Sequence, residues 1–118
     1  MKEIKFYKSQ SGKILIGLVD NESNDGLKEL KAGEVDAALE KHVPIVKHEN
    51  GKLIVNVGSI EHPMLDVHYI QFIALQSERG LEVVELRPNE KPHAEFGDIE
   101  HGVVYEYCNL HGLWKQTF

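Results

Sequence analysis

The chain lacks several things at once, and each absence removes a class of protein. Its 118 residues contain one cysteine, 13 lysines and arginines against 19 aspartates and glutamates, and a formal net charge of -6. A single thiol rules out an intramolecular disulfide and makes a reducing, cytoplasmic home the expectation. No clustered run of basic residues is present to neutralise phosphates, so a general nucleic-acid binder drops out. The opening MKEIKFYKSQ has charge but no apolar block of signal-peptide length behind it, and the run ILIGLV is too brief to span a bilayer. A soluble protein of one-domain size is expected, too short for two independent enzyme domains.

What is present reads as strand. VPIVKHENGKLIVNVG places two β-rich apolar runs around Asn50-Gly51, a dipeptide suited to the positive φ angles of a tight turn, so residues 43–57 are expected to form a hairpin. HYIQFIAL places His68, Ile70, Phe72 and Ala74 on one strand face, and SERG then turns the chain into LEVVELRP, a second hairpin. In GVVYEYC, Val104, Glu106 and Cys108 share one face and Val103, Tyr105 and Tyr107 the other. Only DGLKELKAGEVDAALEK has helical composition, and Gly33 cuts it into pieces too short to dominate. The reading is all-β, an antiparallel β-sandwich. A boundary falls near Gly33 to Asp36, because the first 33 residues hold no histidine and include the polar stretch DNESNDG.

Seven histidines is a high count for this length, and their settings divide them. His48 beside the Asn50-Gly51 turn, and His93 and His101 in NEKPHAEFGDIEHG, are expected in solvent. His42 in EKHVP, His62 and His68 in HPMLDVH, and His111 in CNLHG stand beside prolines or glycines where strands begin or end, and can converge. Cys108 and His111 form Cys-x-x-His, a spacing that lets a tight turn bring sulfur and imidazole onto one ion. A lone cysteine is commonly a small buried hydrophobe; beside these histidines a metal is the leading reading. Imidazole suits iron, copper, zinc and nickel alike, so the donor types do not name the ion. Five donors exceed the four of a closed structural zinc site and leave room for a small molecule.

EKHVP, HPMLDVHYI and YCNLHGLWK, in this order and at these separations, resemble the superoxide reductases of the desulfoferrodoxin and neelaredoxin family over roughly residues 36–115. The resemblance implies an immunoglobulin-like β-sandwich with one mononuclear non-haem iron, bound by His42, His62, His68 and His111 with Cys108 along the axis. It implies that Glu40 takes the sixth position in the ferric state and that Lys41 guides superoxide. It further implies rubredoxin or another small redox protein as electron donor, and a homo-oligomer, dimer or tetramer. Residues 1–35 look like a degenerate desulforedoxin-like segment. FYKSQSGKI has Ser9 and Ser11 where cysteines would stand, and Asn24-Asp25-Gly26 replaces Cys-Cys-Gly. A hydroxyl is a poor substitute for a thiolate at iron, so this segment is expected to hold no metal.

Three other readings compete. A blue-copper electron carrier also combines a β-sandwich with cysteine and histidine on one loop, but needs a weak methionine ligand after the last histidine, and GLWKQTF has none. A structural zinc module leaves Lys41 and one histidine without a task. A cysteine hydrolase built on Cys108 and His111 lacks an orienting third group. Trp114 and Tyr107 are expected as core or rim residues shielding the sulfur, and Pro44, Pro63 and Gly112 as fixing the geometry of the ligands.

Overall fold

A computed structural model describes residues 2–19 and 26–118. Among the described residues, ten strands and one helical turn follow in order: β1 (Lys5–Lys8), β2 (Ile14–Gly17), β3 (Lys28–Leu30), α1 (Leu39–His42), β4 (Pro44–Glu49), β5 (Lys52–Val57), β6 (Ile70–Ser77), β7 (Gly80–Glu85), β8 (His93–Gly97), β9 (Val103–Cys108) and β10 (Gly112–Thr117). They form three sheets, ordered β2-β1-β3, β10-β9-β6-β7 and β4-β5-β8, and all pairings are antiparallel.

The first hairpin forms as its turn residues dictate. Asn50 and Gly51 have φ of 52° and 72°, the left-handed pair whose twist matches that of the flanking strands β4 and β5. Ser77 pairs with Gly80 across the second turn, joining β6 to β7. The four-stranded and β4-β5-β8 sheets enclose the main core, in which Leu53, Val55 and Val57 of β5 meet Ile73 and Leu75 of β6 and Val104 and Cys108 of β9. This is the antiparallel sandwich read from the sequence, in its immunoglobulin-like form.

The outer face of the four-stranded sheet is covered as well. Phe6 of β1, almost fully buried, inserts against Phe72 and Tyr105 at ring-centroid distances of 5.9 and 4.9 Å, with Ala74, Tyr107 and Leu113 around it. Strand β9 therefore sends alternate side chains into two cores, as its alternation required: Val104 and Cys108 inward, Tyr105 and Tyr107 outward.

Two expectations need correction. Ile70, Phe72 and Ala74 do not share a face. The register between β6 and β9 slips between Ile70 and Phe72, so that Ile70 opposes Cys108 while Phe72 opposes Tyr107. The extra residue at this bulge reverses the phase, putting Ile70, Ile73 and Leu75 in the main core and Phe72 and Ala74 in the outer one. His68 precedes the strand altogether. The segment of helical composition yields only the single turn α1 and, unexpectedly, β3, whose Lys28–Leu30 pairs with β1. Of the proposed Cys-Cys-Gly replacement, Asn24 and Asp25 lie outside the described residues.

Candidate metal centre

Four segments meet at one end of the sandwich: α1 entering β4, the connection from β5 to residue 62, the tight turn before β6, and the β9–β10 turn. In α1, Val43 N–H donates to Leu39 O at 3.0 Å, closing one helical turn that carries Glu40, Lys41 and His42. This turn is seated on Gly58. A Cβ there would lie 2.7 Å from Glu40 O and 2.8 Å from Lys41 O, and φ is +83°, so only glycine fits. Ile60 N–H and the Ser59 hydroxyl then donate to Glu40 O at 2.9 and 3.2 Å, tying the segment that carries His62 to the one that carries His42. The third segment is a small loop in which Leu65 and His68 exchange both backbone hydrogen bonds. Asn109 fastens it to the fourth: its Oδ1 accepts from Tyr69 N–H at 2.9 Å and its Nδ2 donates to Val67 O at 3.0 Å. Asn109 and Gly58 are positioning residues that the sequence reading passed over. Asn109 could have been noticed as the polar residue inside Cys-x-x-His; Gly58 had no local signal.

The result is one cluster. His42, His62, His68, Cys108 and His111 each offer a donor atom, and these atoms all lie within 4.8 Å of one another. His42 Nε2 is 3.2 Å from His62 Nε2 and 3.1 Å from His111 Nδ1, and His111 Nδ1 is 3.8 Å from Cys108 Sγ. All five residues singled out as ligands come together, while Glu40 and Lys41 sit exposed on the turn beside them.

Protonation follows from the hydrogen bonds. His42 Nδ1 lies 2.7 Å from Ala38 O, and His62 Nδ1 lies 2.7 Å from Pro63 O. A carbonyl only accepts, so both Nδ1 atoms carry the proton and both Nε2 atoms present lone pairs. Burial keeps these rings neutral, lowering His42 and taking His62 down to about 4; His68 is lowered by the same cause. Two facing lone pairs 3.2 Å apart repel unless a cation lies near both. The buried Nε2 of His68 has no hydrogen-bond partner among the described residues. Burial raises the Cys108 thiol, and a metal supplies the charge needed to hold it as thiolate. This donor set, four imidazoles and one soft sulfur, fits a mononuclear iron.

The shell around the donors is specific. Trp114 stacks on the His42 ring, centroids 5.1 Å apart, and its Nε1–H donates to His111 O at 3.0 Å, so one side chain steadies the imidazole of His42 and the backbone of His111. Tyr107 does not shield the sulfur as expected; alternation along β9 sends it to the outer core, stacked on Phe72. Glu106 faces the main core two residues before Cys108, with no exposure and, among the described residues, no partner for either oxygen, and burial raises its carboxyl well above the usual range, which keeps it neutral. Of the histidines assigned to solvent, His48 and His101 are exposed, though His48 Nε2–H donates to Ile99 O at 2.7 Å. His93 is half-buried on β8, between Asn56 Oδ1 at 2.8 Å and Glu95 Oε2 at 3.0 Å, remote in sequence from the donor segments.

Fold and donor set define a class: an antiparallel β-sandwich carrying four histidines and one cysteine at one end as a metal centre. The family model described as desulfoferrodoxin matches residues 34–117. The chain belongs to the desulfoferrodoxin family. A desulfoferrodoxin from Clostridium acetobutylicum is 45% identical over 92 residues, covering 78% of this chain and 74% of the relative, and one from Syntrophotalea carbinolica is 48% identical over 87 residues, covering 73% and 69%. Among solved structures, the superoxide reductase from Treponema pallidum superposes with a TM-score of 0.80 at 31% identity, over 98% of this chain and 99% of that one. That match reaches through the N-terminal sheet. A superoxide reductase from Giardia intestinalis matches 67% of this chain and 97% of its own, with a TM-score of 0.58 and 28% identity.

Proposed function

We propose that this protein is a superoxide reductase, adding one electron and two protons to superoxide to give hydrogen peroxide without releasing dioxygen. The observation that carries the reading is the convergence of His42, His62, His68, His111 and Cys108 donor atoms within 4.8 Å, in a chain of the desulfoferrodoxin family. Iron, when bound there, supplies the electron by moving between its ferrous and ferric states, which zinc cannot do. The chain's own groups do the rest. His42 and His62, held by carbonyls at Nδ1, would ligate the ion through Nε2, His111 would do so through Nδ1, and buried Cys108 would contribute a soft anionic donor. Glu40 is assigned as the sixth ligand in the ferric state. Lys41 is assigned as the cation that draws the substrate anion toward the ligand end.

Residues 1–35 are assigned as a degenerate desulforedoxin-like segment without metal and residues 36–118 as the iron-binding domain. The start of the family match at residue 34 and the separate sheet β2-β1-β3 support this division. Rubredoxin or a similar small redox protein re-reduces the iron, and a dimer or tetramer in the cytoplasm completes the reading. The blue-copper alternative gains no methionine ligand from Met64, whose Sδ accepts Ile70 N–H at 3.4 Å and which packs against the main core. Pulse radiolysis of the reduced iron protein tests the function: stoichiometric hydrogen peroxide with no dioxygen is expected, and equal yields of both would mark a dismutase instead.

A further inference from the structure

The segments that carry the donors also present large apolar side chains to water. Leu39, Ile60, Leu65, Val67 and Leu110 are all more than half exposed, from 54% at Ile60 to 75% at Val67. Each of the four ligand-bearing segments contributes at least one. Such residues scattered singly need no explanation, but here each stands within three residues of a ligand, and apolar exposure grouped in this way marks an interaction surface. A diatomic anion gains nothing from an apolar ring, so substrate capture leaves it unexplained.

Charge around the ring is one-sided. Glu40 follows Leu39, Glu61 follows Ile60, and Asp66 stands between Leu65 and Val67, all exposed. Lys41 is the one cation in residues 39–42, 60–67 and 108–111. The donors' other sides are closed: Cys108, His42 and His62 are buried and Trp114 covers the His42 ring. His68 and His111 are half-buried at this end. Electron transfer weakens steeply with distance, so a protein donor must come to the ring. Brief redox encounters use small faces, with an apolar centre for contact and a charged rim for orientation.

We propose that the ring formed by Leu39, Ile60, Leu65, Val67 and Leu110 is the docking face for a small redox protein whose cofactor edge lies in an apolar patch rimmed by lysine or arginine. The occupant's rim follows from Glu61 and Asp66, because Glu40 is committed to the iron in the ferric form that the donor meets. This inference rests on the superoxide reductase reading for its need of a one-electron donor.

The test uses the ferric full-length protein and one rubredoxin in two forms, with carboxylates or with lysines around its iron, mixed in a stopped-flow instrument across a salt series. The lysine-rimmed form is expected to reduce the protein faster at low salt, with the advantage fading as salt rises. Ile60→Ser with Val67→Ser should slow that reduction about tenfold, while the ferric spectrum and the rate with superoxide stay within about twofold. Glu61→Lys with Asp66→Lys should reverse the preference between the two forms. A parental rate in the serine pair, or a carboxylate-rimmed form that is faster at low salt, overturns the proposal. Burial of the ring in a dimer, seen as protection of residues 60–67 from hydrogen exchange that is lost on dilution to monomer, overturns it too. A parent protein reduced normally by donor yet inert to superoxide would count against the superoxide reading alone.

Discussion

Two turns of this molecule have the same outline and opposite behaviour. The first, between β1 and β2, runs from Ser9 to Lys13; the second, between β9 and β10, runs from Cys108 to Gly112. Each contains a glycine at positive φ, Gly12 at 90° and Gly112 at 80°. In the first, Ser9 Oγ accepts Lys13 N–H at 2.9 Å and shares a 3.1 Å hydrogen bond with Ser11 Oγ. The polar side chains satisfy the turn that bears them. In the second, Cys108 Sγ and His111 Nδ1 point into a space shared with three other histidines, where protein groups alone leave lone pairs facing one another. A turn whose side chains close on themselves is structural, whereas one whose donors converge with donors from elsewhere is a binding site.

The N-terminal sheet is held by packing instead. Phe6, Tyr105, Tyr107 and Leu113 form a core of their own on the outer face of the four-stranded sheet. Burying such side chains supplies cohesion without a metal.

The sharpest way to separate the two regions is Cys108→Ser. The hydroxyl is a harder, weaker donor, so the oxidised protein should lose its sulfur-to-iron absorption and most activity. An unchanged visible band would show that the sulfur is not bound. Phe6→Ala should act conversely, costing about 3–5 kcal/mol of stability and leaving the visible spectrum of the folded protein as in the parent. Denaturant unfolding with the spectrum as a second probe checks this, and loss of iron before any loss of secondary structure would mean that the outer core also holds the site.

Lys41→Ile comes next. A unit charge ~8 Å from the anion at an effective dielectric near ~20 is worth about 2 kcal/mol, or a rate effect of roughly tenfold. The second-order rate with superoxide should fall and lose part of its ionic-strength dependence, with iron content unchanged. A variant with the parental rate and salt slope would leave Lys41 an ordinary surface lysine. Ser9→Ala should do least, about 1 kcal/mol or less from one exposed turn hydrogen bond. A change in iron content on Ser9→Ala would contradict the assignment of that turn as structural.

Much of the site was legible because its signals are local. His42, His62, His68, Cys108 and His111 stand in short motifs beside prolines and glycines, and Asn50-Gly51 fixed its hairpin by the φ angles it favours. What escaped depends on tertiary register. The bulge between Ile70 and Phe72 inverts the pattern of β6 without any glycine or proline to announce it. Strand β3 is three residues of ordinary helix formers, extended because Phe6 pairs with Leu30 across the sheet. Glu106 reads as a polar residue on a half-solvated strand, and becomes fully buried because a second sheet covers that face. Trp114's hold on His42 joins residues 72 positions apart, which no local pattern encodes.

The contrast between the two turns makes a stoichiometric claim, and metal analysis of protein from iron-replete cells tests it most directly. One iron per chain is predicted in the parent and in Ser9→Ala, and a marked loss in a variant lacking both His42 and His62. Two irons per chain, or stoichiometric zinc in place of iron, would contradict it.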